Sequence, residues 1–207
     1  MPAEFSSDSS SRIILASASP RRRELLAQVG IAFSVVASRV EEEVLPGESP
    51  AMHALRLSRE KAREVASRPE VEGRWFIGSD TIVVRDESIL NKPADAEDAR
   101  RMLLSLSGRT HQVLSGYAVY DRITGREISD VVATTVWFKK LTAAEIAGYI
   151  ASREPLDKAG AYAIQGLGAF MIPRIDGSYT NVVGLPLCEV IAALEKLEAI
   201  ELFRSAP

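Results

Sequence analysis

The chain carries little with which to do redox, disulfide or histidine chemistry. Its 207 residues include one cysteine, Cys188, and two histidines, His53 and His111. One cysteine excludes an internal disulfide and suits a reducing compartment. With no histidine close by in Leu185-Pro186-Leu187-Cys188-Glu189, it reads as a buried structural thiol rather than a nucleophile. Two histidines cannot make a histidine zinc cluster, nor do they support a convincing Ser-His-Asp triad. No apolar run reaches the roughly 20 residues that a bilayer-spanning helix needs. Met1-Pro2-Ala3-Glu4-Phe5 and the serine-rich run to Ser11 lack the basic region and apolar core of a signal peptide. Residues 1–11 therefore read as a disordered tail, and the protein as soluble and cytoplasmic. No Gly-Lys pair occurs, which excludes a Walker A loop, and Gly166-Leu167-Gly168 lacks the third glycine of a dinucleotide fingerprint. An excess of positive charge is missing too: 25 Lys and Arg against 28 Asp and Glu leave a net −3. That argues against bulk nucleic-acid binding, which wants a basic footprint.

What is present is enough apolar material for one substantial core, at 46% hydrophobic residues. Ile13 to Ser17 reads as a short strand, followed by a helix capped by Ser19 that ends before Gly30. Ile31 to Ala37 reads as a second strand. Ser49 and Pro50 open a long helix through Ala66. Trp75 to Val84 is strongly strand-like, with Ile89-Leu90 pairing back across a turn at Arg85 to Ser88. Asp95 to Leu106 is an amphipathic helix closed by Gly108. His111 to Tyr120 and Ile128 to Phe138 form a hairpin through Thr124-Gly125, and Thr142 caps a helix to Ala151. A loop-rich stretch, Glu154 to Gly168, leads to a strand over Ala169 to Ile175, a turn at Asp176-Gly177 and a last helix from Pro186 to Leu202. Strands and helices alternate early while antiparallel pairs come late, which predicts a mixed sheet flanked by helices, α/β or α+β.

The most informative run is Ser19-Pro20-Arg21-Arg22-Arg23. It places cations in the first turn of a helix, where the macrodipole is already positive, at a cost of about 0.3–1 kcal/mol each at an exposed site. Free N–H groups plus guanidinium groups at a helix N-terminus make an anion site, most commonly filled by phosphate. The plain alternative is a solvated basic turn paired with Glu41-Glu42-Glu43. Asp80 is the second signal. A strand period puts it on one face with Phe76, Ile82 and Val84, where a carboxylate is costly unless it is paired or binds a metal. It could equally end a strand and cap a bend at Gly78-Ser79. Lys61 edges an apolar helical stripe, which a snorkelling lysine explains. Lys92 precedes Pro93 and is held extended, as an ordinary surface lysine can be. Asp157 to Gly168 combines small residues, which allow close approach of backbone to a ligand, with Gln165, which can read a base edge through a paired donor and acceptor. A flexible linker is the dull alternative there. Together these features suit metal-assisted chemistry on a phosphate ester or anhydride.

The same segments resemble the Maf family of nucleoside triphosphate pyrophosphatases. The resemblance is carried by Leu15-Ala16-Ser17-Ala18-Ser19-Pro20-Arg21-Arg22-Arg23-Glu24-Leu25-Leu26, Gly78-Ser79-Asp80-Thr81, Asn91-Lys92-Pro93, Leu106-Ser107-Gly108, Asp157-Lys158-Ala159-Gly160-Ala161-Tyr162 and Asn181-Val182-Val183-Gly184-Leu185-Pro186-Leu187, in the family's order. It implies a two-lobed α/β fold, similar to inosine triphosphate pyrophosphatases, with a central cleft. It implies one such domain over residues 12–204 that acts as a homodimer, without nucleic acid or membrane. The implied reaction converts a nucleoside triphosphate to the monophosphate and pyrophosphate with Mg²⁺ or Mn²⁺. Asp80 would be the proton acceptor and, with Glu42, the metal-site carboxylate; Ser17, Arg22, Lys61 and Lys92 would face the phosphates. Arg21, Thr81 and Gln165 match the subgroup that acts on dTTP and UTP, not the one preferring 7-methyl-GTP. A regulatory binding protein that holds a nucleotide or nucleic acid without turnover is the alternative of another class. The glycine often found before Lys92 is missing, with Asp86-Glu87-Ser88 in its place, which leaves that turn open.

Overall fold

A computed structural model describes residues 12–203. The expected tail over residues 1–11 and the domain boundary at residue 204 lie outside the described residues. The described chain runs β1 (Ile13–Leu15), α1 (Pro20–Gln28), β2 (Ser34–Val35), α2 (Pro50–Ala66), β3 (Trp75–Arg85), β4 (Ser88–Leu90), α3 (Ala96–Leu106), β5 (Thr110–Asp121), β6 (Glu127–Trp137), α4 (Ala143–Ala151), three short 3-10 turns, β7 (Arg174–Asp176), α5 (Tyr179–Val183) and α6 (Leu187–Lys196). One seven-stranded sheet has the order β2-β1-β3-β5-β6-β7, with β4 folded back on the end of β3. The β1 pairings to β2 and β3 are parallel, while β3, β5, β6 and β7 pair antiparallel. This is the mixed sheet anticipated from the order of elements.

The long strand β3 explains where a cleft can form. On one face, Trp75 and Ile77 belong to an apolar cluster with Leu25, Leu26, Val190 and Leu194 of α1 and α6. Further along, Val83 belongs to a second cluster with Leu103, Leu106, Ile146 and Met171. Between them on that face stand Ser79 and Thr81. On the other face Phe76 joins one cluster and Ile82 and Val84 another, with Gly78 and Asp80 between. The neighbouring strand repeats the pattern, since Asp80 and Thr81 lie opposite Gly116 and Ser115. Polar and small residues at matched register thus interrupt an otherwise apolar sheet at one level, and the two sides of the protein part there.

Helix α2 lies directly on that interruption. A Cβ at Gly78 would sit 2.0 Å from the Ser58 carbonyl oxygen, and one at Gly116 would sit 2.1 Å from that of Ala54. Only glycine admits the helix backbone this close to the strands. Gly78 therefore marks helix approach rather than a bend, and Asp80 sits in mid-strand, not at a strand end.

Several elements differ from expectation. The strand expected over Ile31 to Ala37 is two residues long, and that over Ala169 to Ile175 shrinks to Arg174–Asp176, because Gly166–Met171 winds into a 3-10 turn. A short helix, Tyr179–Val183, precedes the last helix, which starts at Leu187 and stops at Lys196. Ser49 and Thr142 cap as expected, but Ser19 has the extended N-cap backbone with no side-chain cap bond. Asp86 and Glu87 close the β3–β4 turn with φ of 48° and 62°, so the missing glycine is replaced by two residues held in the left-handed region. Cys188 is exposed, not buried: the inward stripe of α6 is Val190, Ile191 and Leu194, and position 188 falls on the other side of the helix.

His111, 4% exposed, bonds the Tyr162 hydroxyl through Nε2 (2.6 Å), while its buried Nδ1 has no partner among the described residues. Burial pulls its pKa down from 6.5 to about 4. Between those values the unfolded chain binds a proton that the folded one refuses, so stability must fall as pH drops through that window, by ~3 kcal/mol in all. The wild-type melting temperature should drop from pH 7 to pH 5 by more than that of His111→Gln, which keeps a partner for Tyr162. Parallel pH profiles of the two proteins would show that His111 is not the cause.

Candidate active site

A cleft of about 360 Å³ opens at the interruption in the sheet, lined by the start of α1, by Glu42, Lys61, Asp80, Thr81 and Lys92, and by the Tyr162 to Gln165 segment. Every site residue expected from the sequence, Ser17, Arg21, Arg22, Glu42, Lys61, Asp80, Thr81, Lys92 and Gln165, lines this one cavity. They come from six separate stretches of chain.

At its floor lies a carboxylate–ammonium–carboxylate bridge. Lys61 Nζ donates to Asp80 Oδ1 at 2.7 Å and to Glu42 Oε1 at 2.5 Å. The Lys61 and Asp80 side chains are each 8% exposed, that of Glu42 57%. Lys61 is therefore not a snorkel: the close seating of α2 on Gly78 turns it inward to meet Asp80 on the same face of β3. Glu42 is not part of a merely solvated acidic turn paired with the arginines either; its partner is Lys61. Burial raises the Glu42 carboxyl, but the bond and charge of Lys61, with Lys92 and Arg22 beyond, bring it below its usual value.

Arg22 sits on the opposite face and is tied in place. Its Nε donates to the Gly184 carbonyl (2.7 Å), Nη1 to the Ser79 carbonyl (2.7 Å) and Ser17 Oγ (3.2 Å), and Nη2 to Thr81 Oγ1 (3.1 Å). Burial pulls this guanidinium below its ordinary value, against the upward pull of Asp80 and Glu42. Thr81 Oγ1 is also within hydrogen-bond distance of Ser115 Oγ and the Gly184 carbonyl. Arg22 thus delivers a fixed positive charge from a rigid cradle, and the Thr81 hydroxyl is committed to that cradle. Ser17 Oγ accepts from the Ser19 N–H (3.2 Å), which leaves the first turn of α1 without a side-chain cap beside the cleft. Arg21 is looser, 3.9 Å from the exposed Asp157. Lys92 is exposed and has no carboxylate within ion-pair distance among the described residues.

The small residues of the 157–168 stretch turn out to pack on the protein itself. A Cβ at Gly160 would meet the Val83 side chain at 3.0 Å. Gly166 and Gly168 are shaped around Glu154 and Tyr149, two residues that sequence reasoning did not single out. Asn181 is fully buried; its Nδ2 donates to the Val113 carbonyl and Thr134 Oγ1, and its backbone carbonyl accepts from Ser115 Oγ behind Thr81. No periodicity marks these residues, because their partners are distant in sequence.

A family model described as Maf-like protein matches residues 12–197. The chain belongs to the Maf family. Among curated relatives of this Maf protein, one from Syntrophotalea carbinolica named dTTP/UTP pyrophosphatase is 69% identical over 96% of the chain and 90% of its own length. Relatives of the same name from Geobacter metallireducens and Vibrio cholerae are 57% and 54% identical, over 92% and 90% of the chain and 98% of their own lengths. The family assignment covers every residue of the cleft, and the mixed α/β architecture agrees with it. Membership in a family of pyrophosphatases points to a divalent cation without saying which. No helix among the described residues is long and apolar enough to cross a membrane.

The donors present fit such a cation. Among the described residues no three His, Cys, Asp or Glu side chains gather to form a complete metal cage. Hard divalent cations that act on phosphates commonly take only one or two carboxylates and fill the rest of their octahedron with water and phosphate oxygens. Asp80 and Glu42 both line the cleft and each commits one oxygen to Lys61, so each has a second oxygen, Oδ2 and Oε2, that Lys61 does not use.

Proposed function

We propose that this Maf protein hydrolyses dTTP and UTP, and modified pyrimidine triphosphates, to the monophosphate and pyrophosphate. The observation that carries this reading is the Glu42–Lys61–Asp80 bridge at the floor of a cleft whose opposite wall is an arginine-bearing helix start. A protein that only held a nucleotide would have no use for a buried carboxylate aimed into its binding cleft, given the cost of burying one. Mg²⁺ or Mn²⁺, held by Asp80 and Glu42, would draw charge from the phosphate oxygens. Asp80 Oδ2 accepts the proton of the attacking water; Lys61 fixes the orientation of that carboxylate by holding Oδ1. Arg22, Lys92 and the open first turn of α1 meet the negative charge of the triphosphate, with Ser17 among the contacts. The 360 Å³ cavity then leaves the base beside Gln165 and Arg21. A cytoplasmic setting rests on the single cysteine, and a single domain over residues 12–204 and a homodimer rest on the family resemblance.

Gln165 offers one donor and one acceptor on a planar group, matching the O4 and N3–H edge shared by uracil and thymine. The methyl by which these bases differ is worth only about 1–3 kcal/mol in an apolar pocket, so both should be used. CTP should be poor, because an amino donor replaces O4. With Mg²⁺ or Mn²⁺, dTTP and UTP should yield the monophosphate and pyrophosphate in equal amounts, read by ion-exchange separation of products. Release of orthophosphate with a diphosphate would refute the cleavage position. Preference for 7-methyl-GTP would refute the base assignment, and tight binding without turnover under either metal would make the protein a binder.

A further inference from the structure

The Tyr162 to Gln165 wall of the cleft is held from behind by a single carboxylate. Glu154 Oε2 accepts from the Leu167 N–H and Oε1 from the Gly168 N–H, each at 3.0 Å. Tyr149 Oη donates to Glu154 Oε1 at 3.0 Å and accepts from the Ala163 N–H at 3.2 Å. The segment is thus pinned at residue 163 on one side of Gln165 and at residues 167 and 168 on the other. The two glycines are fitted to these anchors. Gly166 has φ +68°, and a Cβ there would lie 2.7 Å from Glu154 Oε2; a Cβ at Gly168 would lie 2.7 Å from Tyr149 Oη and 2.4 Å from the Ala163 carbonyl oxygen.

The anchors themselves are firm. Tyr149 is 4% exposed in the last turn of α4, and Glu154 follows Arg153, a non-glycine residue held at φ +64° where the chain leaves that helix. Burial pushes the Glu154 carboxyl up, but the two backbone N–H groups, the Tyr149 hydroxyl and Lys158 outweigh it and leave it below its ordinary value. Bonds to an ionised acceptor are stronger than neutral ones. Neither Glu154 nor Tyr149 lines the cleft, so any effect they have on substrate passes through the segment they hold.

We propose that Glu154, braced by Tyr149, is a positioning residue for pyrimidine recognition, setting where the Gln165 carboxamide stands in the cleft. This rests on the reading that Gln165 meets the base. A planar donor–acceptor pair discriminates between uracil and cytosine only if it is held in register with the base edge; a segment released at residues 167 and 168 lets the carboxamide turn and accept either edge. Glu154→Gln keeps the shape of the side chain but faces one of the two N–H donors with an amide donor. Its effect should fall on discrimination and KM, with kcat for UTP much less affected.

The test compares kcat/KM for UTP and CTP, with melting temperatures, in the wild type, Glu154→Gln, Tyr149→Phe, Gln165→Ala and the Glu154→Gln/Gln165→Ala double variant. The UTP-to-CTP ratio should fall about tenfold or more in Glu154→Gln, mainly through KM. It should fall less in Tyr149→Phe, and in the double variant no further than in Gln165→Ala alone. If Gln165→Ala collapses the ratio and Glu154→Gln keeps it, the base reading stands and the positioning role is refuted. If Gln165→Ala keeps the ratio, the base reading itself fails, and the role assigned to Glu154 with it. An equal loss on UTP and CTP in Glu154→Gln would make Glu154 merely structural. Should Glu154→Gln lack a cooperative melt, the ratio in Tyr149→Phe decides by the same criteria.

Discussion

Asp80→Asn is expected to fold normally and to lose turnover of dTTP and UTP by at least the roughly 10²–10⁴-fold that removal of a general base costs. The substitution keeps the side-chain shape, removes the proton acceptor and weakens any hold on a divalent cation. Folding should survive for a reason the geometry supplies. Asp80 is not an unpaired buried charge, as its place on an apolar strand face implied; it shares Lys61 with Glu42. After the substitution the ammonium keeps the Glu42 carboxylate at 2.5 Å and gains the asparagine oxygen as an acceptor. No buried charge is orphaned, which is the situation that costs several kcal/mol. The measurement is kcat for pyrophosphate release beside a thermal melt. A folded Asp80→Asn protein within a few-fold of wild-type activity would move the general base elsewhere, with Glu42 the next candidate.

The parts of this fold legible in the sequence are those set by local chemistry. The caps at Ser49 and Thr142, the β5–β6 hairpin and the return of β4 onto β3 follow from short-range patterns, and all are found where expected. The elements misjudged are those decided at a distance. Ala169 to Ile175 has strand-like composition, yet residues 166–171 wind into a 3-10 turn, where Glu154 captures the Leu167 and Gly168 N–H groups. The lack of a nearby histidine says that Cys188 is no nucleophile but nothing about burial; the helix that starts at Leu187 leaves the thiol exposed.

The candidate site was legible residue by residue but not as an arrangement. A cationic first turn and a strand aspartate are anomalies that local stability does not explain, so they stood out. Lys61 did not, because a lysine at the edge of an apolar stripe has an ordinary explanation. Only the close seating of α2 on Gly78 and Gly116, a contact between residues far apart in the chain, gives it a different one. Likewise the three adjacent arginines look equivalent in sequence. The structure divides them: Arg22 is locked by Gly184, Ser79, Ser17 and Thr81, Arg21 hangs near Asp157, and Arg23 is exposed.

Lys61→Met should be the most damaging single change at the site, because it removes the one group that holds both carboxylates. Methionine fills a similar volume, so packing on α2 is largely kept. Asp80, at 8% exposure, is then left as a buried carboxylate without its cationic partner, whereas Glu42, at 57%, can be hydrated. Breaking a buried pair from one side typically costs about 3–5 kcal/mol, a large share of the roughly 5–15 kcal/mol that keeps a domain folded. Combining Lys61→Met with Asp80→Asn should return most of that stability, since the orphaned charge is gone. Activity should not return, since the base is gone as well. Denaturant unfolding of the wild type, both single variants and the double variant gives the coupling energy directly. If the two substitutions destabilise additively, Lys61 and Asp80 do not form the coupled pair described here. If the double variant recovers both stability and turnover, the floor of this cleft is not where the chemistry occurs.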